Sequence, residues 1–380
     1  MDAYRAGIAF VARRAAAVRP AVARPLAALL PLSKYELNPH ESSALPRVAA
    51  VQVDPGDVAV VLRALALAWT PRHRNWLIAF LRELNQRTVA GTLFGQPQVD
   101  ACLLELVRRD EVMRSEAGWQ CLVRHKAQRY REAVQAEGFE RWRDALMRIE
   151  GVRDHRSIVF FQRDNQAITL ARLIVYGGAG VDQWRALETG YSGLSHTASV
   201  LDQVMLSGFD AELFDRADRT LGAALLALAL QVALRELDPN GLAPLRYAQD
   251  WIARQAARTP LGLRARVVEW LMFGARTDEA DALARDVRTG EFAALRAAIL
   301  ATRGQWLEAA GAYDAAFAQL KTEATGRKAL GPENTRWLYP MSLFGTRDAQ
   351  RIAQARKFAL AESGARRATP DTPWGLWAVA

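Results

Sequence analysis

The clearest chemical spelling in the chain is Asp278-Glu279-Ala280-Asp281. Such an acidic quartet holds Mg²⁺ when it ends a buried strand and faces a Gly-rich phosphate loop. Neither condition is met here. Leu271-Met-Phe-Gly274 reads as a helix end, and no GxxxxGK[ST] string occurs in the 380 residues. A helix capped by Thr277 or Asp278, with acids in its first turn, accounts for the string. Gly177, Gly178 and Gly180 follow Leu173-Ile-Val-Tyr176, but Gln183 stands where a dinucleotide loop needs its third glycine. A helix end and a turn fit better. Gly193-Leu-Ser195-His196-Thr lacks the closing glycine of a nucleophile elbow. The histidines (His40, His73, His125, His155, His196) are scattered and form no HExxH pair. Cys102 and Cys121 each sit inside an apolar pattern without a CxxC spacing. They read as buried, inert thiols of a reducing, cytoplasmic setting. The sequence therefore assembles no catalytic or metal-binding set, and no cofactor is expected in this chain.

Charge is the remaining candidate. The chain carries 50 basic and 41 acidic residues, a net +9. Such a balance favours an acidic partner, including nucleic acid. Only Lys34, Lys126, Lys321, Lys328 and Lys357 are lysines, and alanine is abundant. That bias matches a GC-rich coding sequence, so part of the arginine excess has no phosphate to meet. The densest relevant run is Arg108, Arg109, Arg114, Arg124, Lys126, Arg129 and Arg131. Arg108, Arg109, Arg114, Arg124 and Lys126 are the expected nucleic-acid contacts. Asp110, Glu111 and Glu116 interrupt them, and residues 70–160 net only +4. No apolar run reaches the roughly 18 residues of a membrane span, and no small-molecule site is evident.

These residues need elements to position them. Residues 1–52 read as one basic helix (Arg5, Arg13, Arg14, Arg19, Arg24) and a Pro-rich linker, a pattern a transit peptide shares. Residues 53–135 read as a helix over Asp57–Trp69, a helix over His73–Gln86, a turn-rich stretch, and a third helix over Val99–Arg108. In the third helix Val99, Cys102, Leu103, Leu106 and Val107 are expected to face inward. Two short strands around Ser115-Glu-Ala-Gly118 and a further helix over Ala127–Glu137 follow. Helices followed by a hairpin are the order of a winged-helix domain, with the third helix and hairpin presented to a partner. Residues 136–260 read as helices broken at glycines, with Leu221–Leu234 a buried core helix. Ser157–Phe161 fits strand or helix. Residues 261–380 show helices near 262–274, 278–288, 291–302 and 305–321.

In the last pair, Gly304, Trp306, Ala309, Tyr313 and Ala316 match the Gly, aromatic and Ala positions of a tetratricopeptide repeat. Ala297 and Lys321 depart from that pattern. Trp251, Trp270, Trp306, Trp337, Trp374 and Trp377 read as packing residues. The expected fold class is all-α: a tetratricopeptide-like helical-repeat array plus a small winged-helix-like domain with a short β-hairpin.

The stretch Ala315–Leu343, AAFAQLKTEATGRKALGPENTRWLYPMSL, resembles the N-terminal regions of large bacterial Swi/Snf-like DEAD/DEAH-box helicases. There a repeat-like helix ends in a Leu-(Arg/Lys)-x-Glu-Thr-Gly-Lys-Arg-Lys run, then a Pro-Gly step and an apolar Phe-Tyr-Pro-Leu-Ala-Leu-Leu helix. Leu320, Lys321, Glu323, Thr325, Gly326, Arg327 and Lys328 match, with Ala324 extra. Gly331-Pro332 replaces Pro-Gly. Leu338, Tyr339, Pro340, Met341, Ser342 and Leu343 match the apolar part. Ala355-Arg-Lys-Phe-Ala-Leu360 and Trp374-Gly-Leu-Trp377 fit the next helices. The likeness covers residues from about 290 to 380. It implies a non-catalytic accessory region that binds DNA or a protein partner for a downstream ATPase motor, with ATP and Mg²⁺ confined to that motor. The apolar run Pro373–Ala380 is expected to continue into more chain or to fold back on the body. The alternative from the residues alone is a stand-alone helical-repeat adaptor without a nucleic-acid role.

Overall fold

The computed structural model describes residues 53–151, 163–178, 180–190, 198–323 and 335–365. These residues are mostly helical, with one small antiparallel two-stranded sheet. The buried core runs from Val58 to Ala355. Ser157–Phe161, Ser195, His196, Trp374, Trp377 and residues 1–52 lie outside the described residues.

Helix α1 (Pro55–Ala68) starts where the Asp54 carboxylate accepts from the Gly56 amide at 2.7 Å and Pro55 fills the first turn. Its last two turns are fully buried from Ala64 to Ala68. Arg72 then passes in extended form and exchanges both backbone hydrogen bonds with Trp119, at 2.9 and 2.8 Å. Helix α2 (Arg74–Glu83) turns Leu77, Phe80 and Leu81 inward. Helix α3 (Gln96–Arg108) buries Val99, Cys102, Leu103 and Leu106. Val107, expected inward, is instead 44 % exposed. At about 100° per residue it falls just outside the stripe of the other four.

Strands β1 (Val112–Ser115) and β2 (Gly118–Cys121) pair antiparallel from Val112–Cys121 to Ser115–Gly118. Gly118 has φ +125°, and a side chain there would meet the Arg72 backbone at 2.6 Å. Only glycine lets the Arg72 segment lie against the hairpin. Helix α4 (Val123–Gln135) begins four residues earlier than the sequence pattern indicated. Helices α5 (Phe139–Gly151), α6 (Arg163–Tyr176), α7 (Val181–Gly190), α8 (Ala198–Met205) and the short α9 (Ala211–Phe214) follow. Gly177 and Gly178, with φ +73° at the latter, end α6 in a turn, as the sequence indicated.

From α10 (Arg219–Glu236) onward the helices come in pairs: α10 with α11 (Leu242–Gln255), α12 (Leu261–Phe273) with α13 (Thr277–Ala284), α14 (Gly290–Thr302) with α15 (Trp306–Glu323), and α16 (Leu338–Gly345) with α17 (Ala349–Ala365). The first helix of each pair also packs on the first helix of the next, and the second helix packs on the following pair. Helix α10 is the buried core helix expected from its apolar run, capped by Asp218 on the amides of Thr220 and Leu221. The α14–α15 contact is the most intimate, because Ala309, Ala310 and Ala316 bring the backbones together. Gly304 closes their turn at φ +77°. The tryptophans described here are packing residues. Trp337 stacks on Phe273 at 6.0 Å, Trp270 Nε1 donates to the Leu230 carbonyl at 2.7 Å, and Trp306 fills the space left by Gly345. No helix of the described residues is long and apolar enough to cross a membrane.

Ala309 is fully buried at this helix contact. Ala309→Leu should overpack it and destabilise the protein by roughly 1–3 kcal/mol. A melting curve that does not move would show that the α14–α15 contact is looser than described.

Candidate interaction surface on the third helix and hairpin

The expected nucleic-acid contacts divide into three kinds. Arg108 and Arg109 both bond Glu105, at 2.8 and 2.9 Å, one turn back on α3. Arg124, at the start of α4, is ion-paired with Asp110 in the turn before β1. Arg129, beside it on α4, is held by Glu111 and Glu132, which keep its guanidinium strongly protonated. Arg114 stands apart. Its guanidinium lies 5.7 Å from the Trp119 ring on the hairpin, and among the described residues it meets no carboxylate. The acids that interrupt the basic run are thus the partners of most of its cations.

Lys126 is the correction. It does not reach outward with the arginines; its Nζ lies 4.4 Å from the centre of the Trp69 ring. The cause is helical spacing. Lys126 falls on the stripe of Tyr130 and Ala133, both buried, so α4 turns it toward the core. Burial, with Arg172 nearby, pulls its ammonium down to about 8.

Arg172, on α6, is the residue that sequence reading missed. It is buried, with its guanidinium 3.4 Å from the Trp69 ring centre, 4.4 Å from Tyr130 and 4.6 Å from Tyr176. It donates to the carbonyls of Gln203 and Gly208 at 2.7 and 2.8 Å. Aromatic faces and carbonyls hold this cation, in place of a direct carboxylate bond. It joins α1, α4 and α6 to the turn after α8, a core function with no opening to a ligand. Its position among apolar neighbours Ala171 and Leu173 was the only available signal.

The chemical spellings that fall on described residues are occupied. Asp278 bonds Arg303 at 2.6 Å, Glu279 bonds Arg276 at 2.6 Å, and Asp281 bonds Arg285 at 3.0 Å. Asp278 and Glu279 lie in the first turn of α13, as expected. Neither Thr277 nor Asp278 caps it, however; the capping position is Arg276, without a side-chain bond. Cys102 and Cys121 are buried, and burial pushes both thiols up to about 12, which keeps them protonated and inert. His73 precedes α2, and His125 accepts from Arg124. Among the described residues no group of three or more His, Cys, Asp or Glu side chains is placed to hold a metal. A narrow crevice lined by Trp184, Val200, Leu201, Val204, Met205, Leu225 and Leu228 carries no charged group.

What the surface does present is apolar. Leu104 is 51 % exposed and Val107 44 % on α3, and Met113 37 % on β1. Beside them stand Asp100, which bonds Arg74 at 2.8 Å, and Ala101. No protein-family model, no curated protein and no solved structure matches the chain.

The depressed Lys126 ammonium gives a direct test. Its folded value lies below the ordinary 10.5, so the unfolded chain holds the proton more tightly. Burying the charge is therefore costly at full strength below about pH 8, and the cost fades as pH rises through 10.5. Lys126→Met should stabilise the protein most below pH 8, with an advantage that shrinks between pH 8 and 10.5. Denaturant melts of both proteins across that range check it. An advantage independent of pH would place the ammonium in water.

Proposed function

We propose that this chain is a non-catalytic binding module, the N-terminal accessory region of a bacterial Swi/Snf-like DEAD/DEAH-box helicase. In this reading the region docks a protein partner, or DNA, for a downstream ATPase motor. The helicase assignment is supported by the resemblance of Ala315–Leu343. The binding role is supported by the surface chemistry.

Residues 53–135 are proposed to be a winged helix. The order helix, extended residue, helix, helix, strand, turn, strand supports this, with Arg72 as a one-residue first strand beside Trp119. Residues 219–365 are proposed to be a tetratricopeptide-like array of four helix pairs. The pairwise succession, the turn at Gly304 and the buried Ala309, Tyr313 and Ala316 support this.

The observation that favours a protein partner is the ion pairing around α3 and the start of α4. Arg108 and Arg109 share the carboxylate of Glu105 and Arg124 pairs with Asp110, while Leu104, Val107 and Met113 are left in water. A duplex-reading helix aims unpaired cations and amides at phosphates and base edges. An apolar centre with an ion-paired rim is the chemistry of a protein contact. The surface is therefore proposed to dock protein, with DNA contact confined to Arg114 on the hairpin. The alternative, a stand-alone helical-repeat adaptor, shares this protein-docking surface and differs in having no motor.

A salt titration of duplex DNA affinity tests the assignment. Arg114 is the cation of this surface that meets no carboxylate among the described residues, so its phosphate contact should contribute about 0.9 to the slope of log K against log salt. Arg114→Ala should remove it, and Arg109→Ala should leave it unchanged. A slope that falls by about 0.9 in each of Arg108→Ala, Arg109→Ala and Arg124→Ala would mean that these three arginines leave their carboxylates for phosphates, and the protein-docking reading would fall.

A further inference from the structure

Lys126 differs from the other lysines among the described residues. Lys321 and Lys357 are exposed. Lys126 is half-buried, with its Nζ 4.4 Å from the centre of the Trp69 ring, and among the described residues it meets no carboxylate.

Its surroundings disfavour the ammonium in three ways. The stem lies against the core, so the charge is partly desolvated. The Arg172 guanidinium lies 3.4 Å from the Trp69 ring, so two cations share one aromatic side chain and repel each other. Lys126 also stands close to the start of α4, three residues after Val123, with Arg124 and His125 before it and no acid in the first turn. The positive end of a helix disfavours a cation. Cys121 is the remaining titratable group close by, and its thiol stays protonated and supplies no counter-charge. Trp69 cannot turn away, because its Nε1 donates to Gln203 Oε1 at 3.0 Å and its ring meets Tyr130 edge-on at 5.4 Å.

These causes act in one direction and bring the ammonium to about 8. At pH 7 roughly a tenth of such a side chain is free amine, against about one part in a few thousand for a solvated lysine. A free amine is the nucleophilic form. The approach is open on one side: Val123, one turn back, is 80 % exposed, and Ala127 is exposed.

We propose that Lys126 is a site of lysine acylation that takes its acyl group from an acyl phosphate. The amine nitrogen attacks the acyl carbon. A C–N bond forms as the C–O bond to phosphate breaks, phosphate leaves with the bonding pair, and the extra proton on nitrogen passes to water. The anionic phosphate departs beside the positive start of α4. The product amide is neutral, so it ends the repulsion with Arg172 while the stem keeps its place on Trp69. This role is separate from what the third helix and hairpin dock.

The test is incubation of the purified full chain with acetyl phosphate, with acetylation at each lysine followed over time by peptide mass spectrometry. At about pH 7.5 Lys126 should be modified at least about tenfold faster than Lys321 or Lys357. Its rate should level off above about pH 8, well below the range in which a solvated lysine does so. In enough urea to unfold the chain the advantage should vanish, because the aromatic ring, Arg172 and the helix end are lost together. Equal rates in the folded chain overturn the proposal. So does a Lys126 rate that keeps climbing well past pH 8, or an advantage that survives unfolding. None of these outcomes bears on the docking surface, which the DNA salt slope tests separately.

Discussion

The fold around the candidate surface depends on one buried ion pair, Arg72 with Glu150. The two charged groups meet at 2.8 Å with both side chains essentially out of water. Arg72 is a strand residue and a cross-link at once. Its backbone pairs with Trp119 and so attaches the hairpin to the segment between α1 and α2. Its guanidinium reaches the Thr169 hydroxyl on α6 at 2.7 Å and the Asn165 carbonyl at 3.3 Å, and it lies 4.8 Å from the Trp76 ring. Glu150, at the end of α5, also accepts from Trp76 Nε1 at 3.0 Å. Burial pushes the Glu150 carboxyl up, while Arg72, Trp76 and Gln166 hold it down. Either charge alone at this depth would be strongly unfavourable, on the order of 3–5 kcal/mol. The pair therefore fixes α2, α5, α6 and the hairpin in one arrangement, and α3 is set against that frame.

The same use of charge recurs through the molecule. Arg172 is held by aromatic rings and carbonyls in the centre of the core. Arg63 lies 4.6 Å from the Trp142 ring and donates to the Ala133, Ala136 and Glu137 carbonyls at the end of α4. Arg266 links Glu269 and Glu291 between α12 and α14, each at 2.8 Å. Arginine suits these places because its planar, weakly hydrated head forks between several acceptors. A composition that is basic overall thus describes internal cross-links as much as an electrostatic surface.

Much of this was legible in the sequence. Apolar spacing places α1, α2, α3 and α10, and turn residues with β-formers place the hairpin. Glycines mark the ends of α6 and α14. The misses have physical reasons. A one-residue strand such as Arg72 has no periodicity to detect, and its partner Glu150 lies 78 positions away. Val107 sits at the edge of a stripe, about 40° beyond Leu103, where core gives way to water. By its charge Lys126 reads as an outward cation, although its spacing from Tyr130 points it inward. The carboxylate partners Glu105 and Asp110 were visible as neighbours. Only the geometry shows that they hold the arginines that looked free.

The proposed role is binding; among the described residues, the side chains that look chemical are engaged in structure. The acidic quartet at Asp278–Asp281 is the sharpest case, with each carboxylate on an arginine of its own. Phosphate release from Mg²⁺–ATP by the purified chain measures the claim directly. The account predicts a rate indistinguishable from the protein-free blank. A measurable turnover that disappears in Asp278→Asn would contradict it.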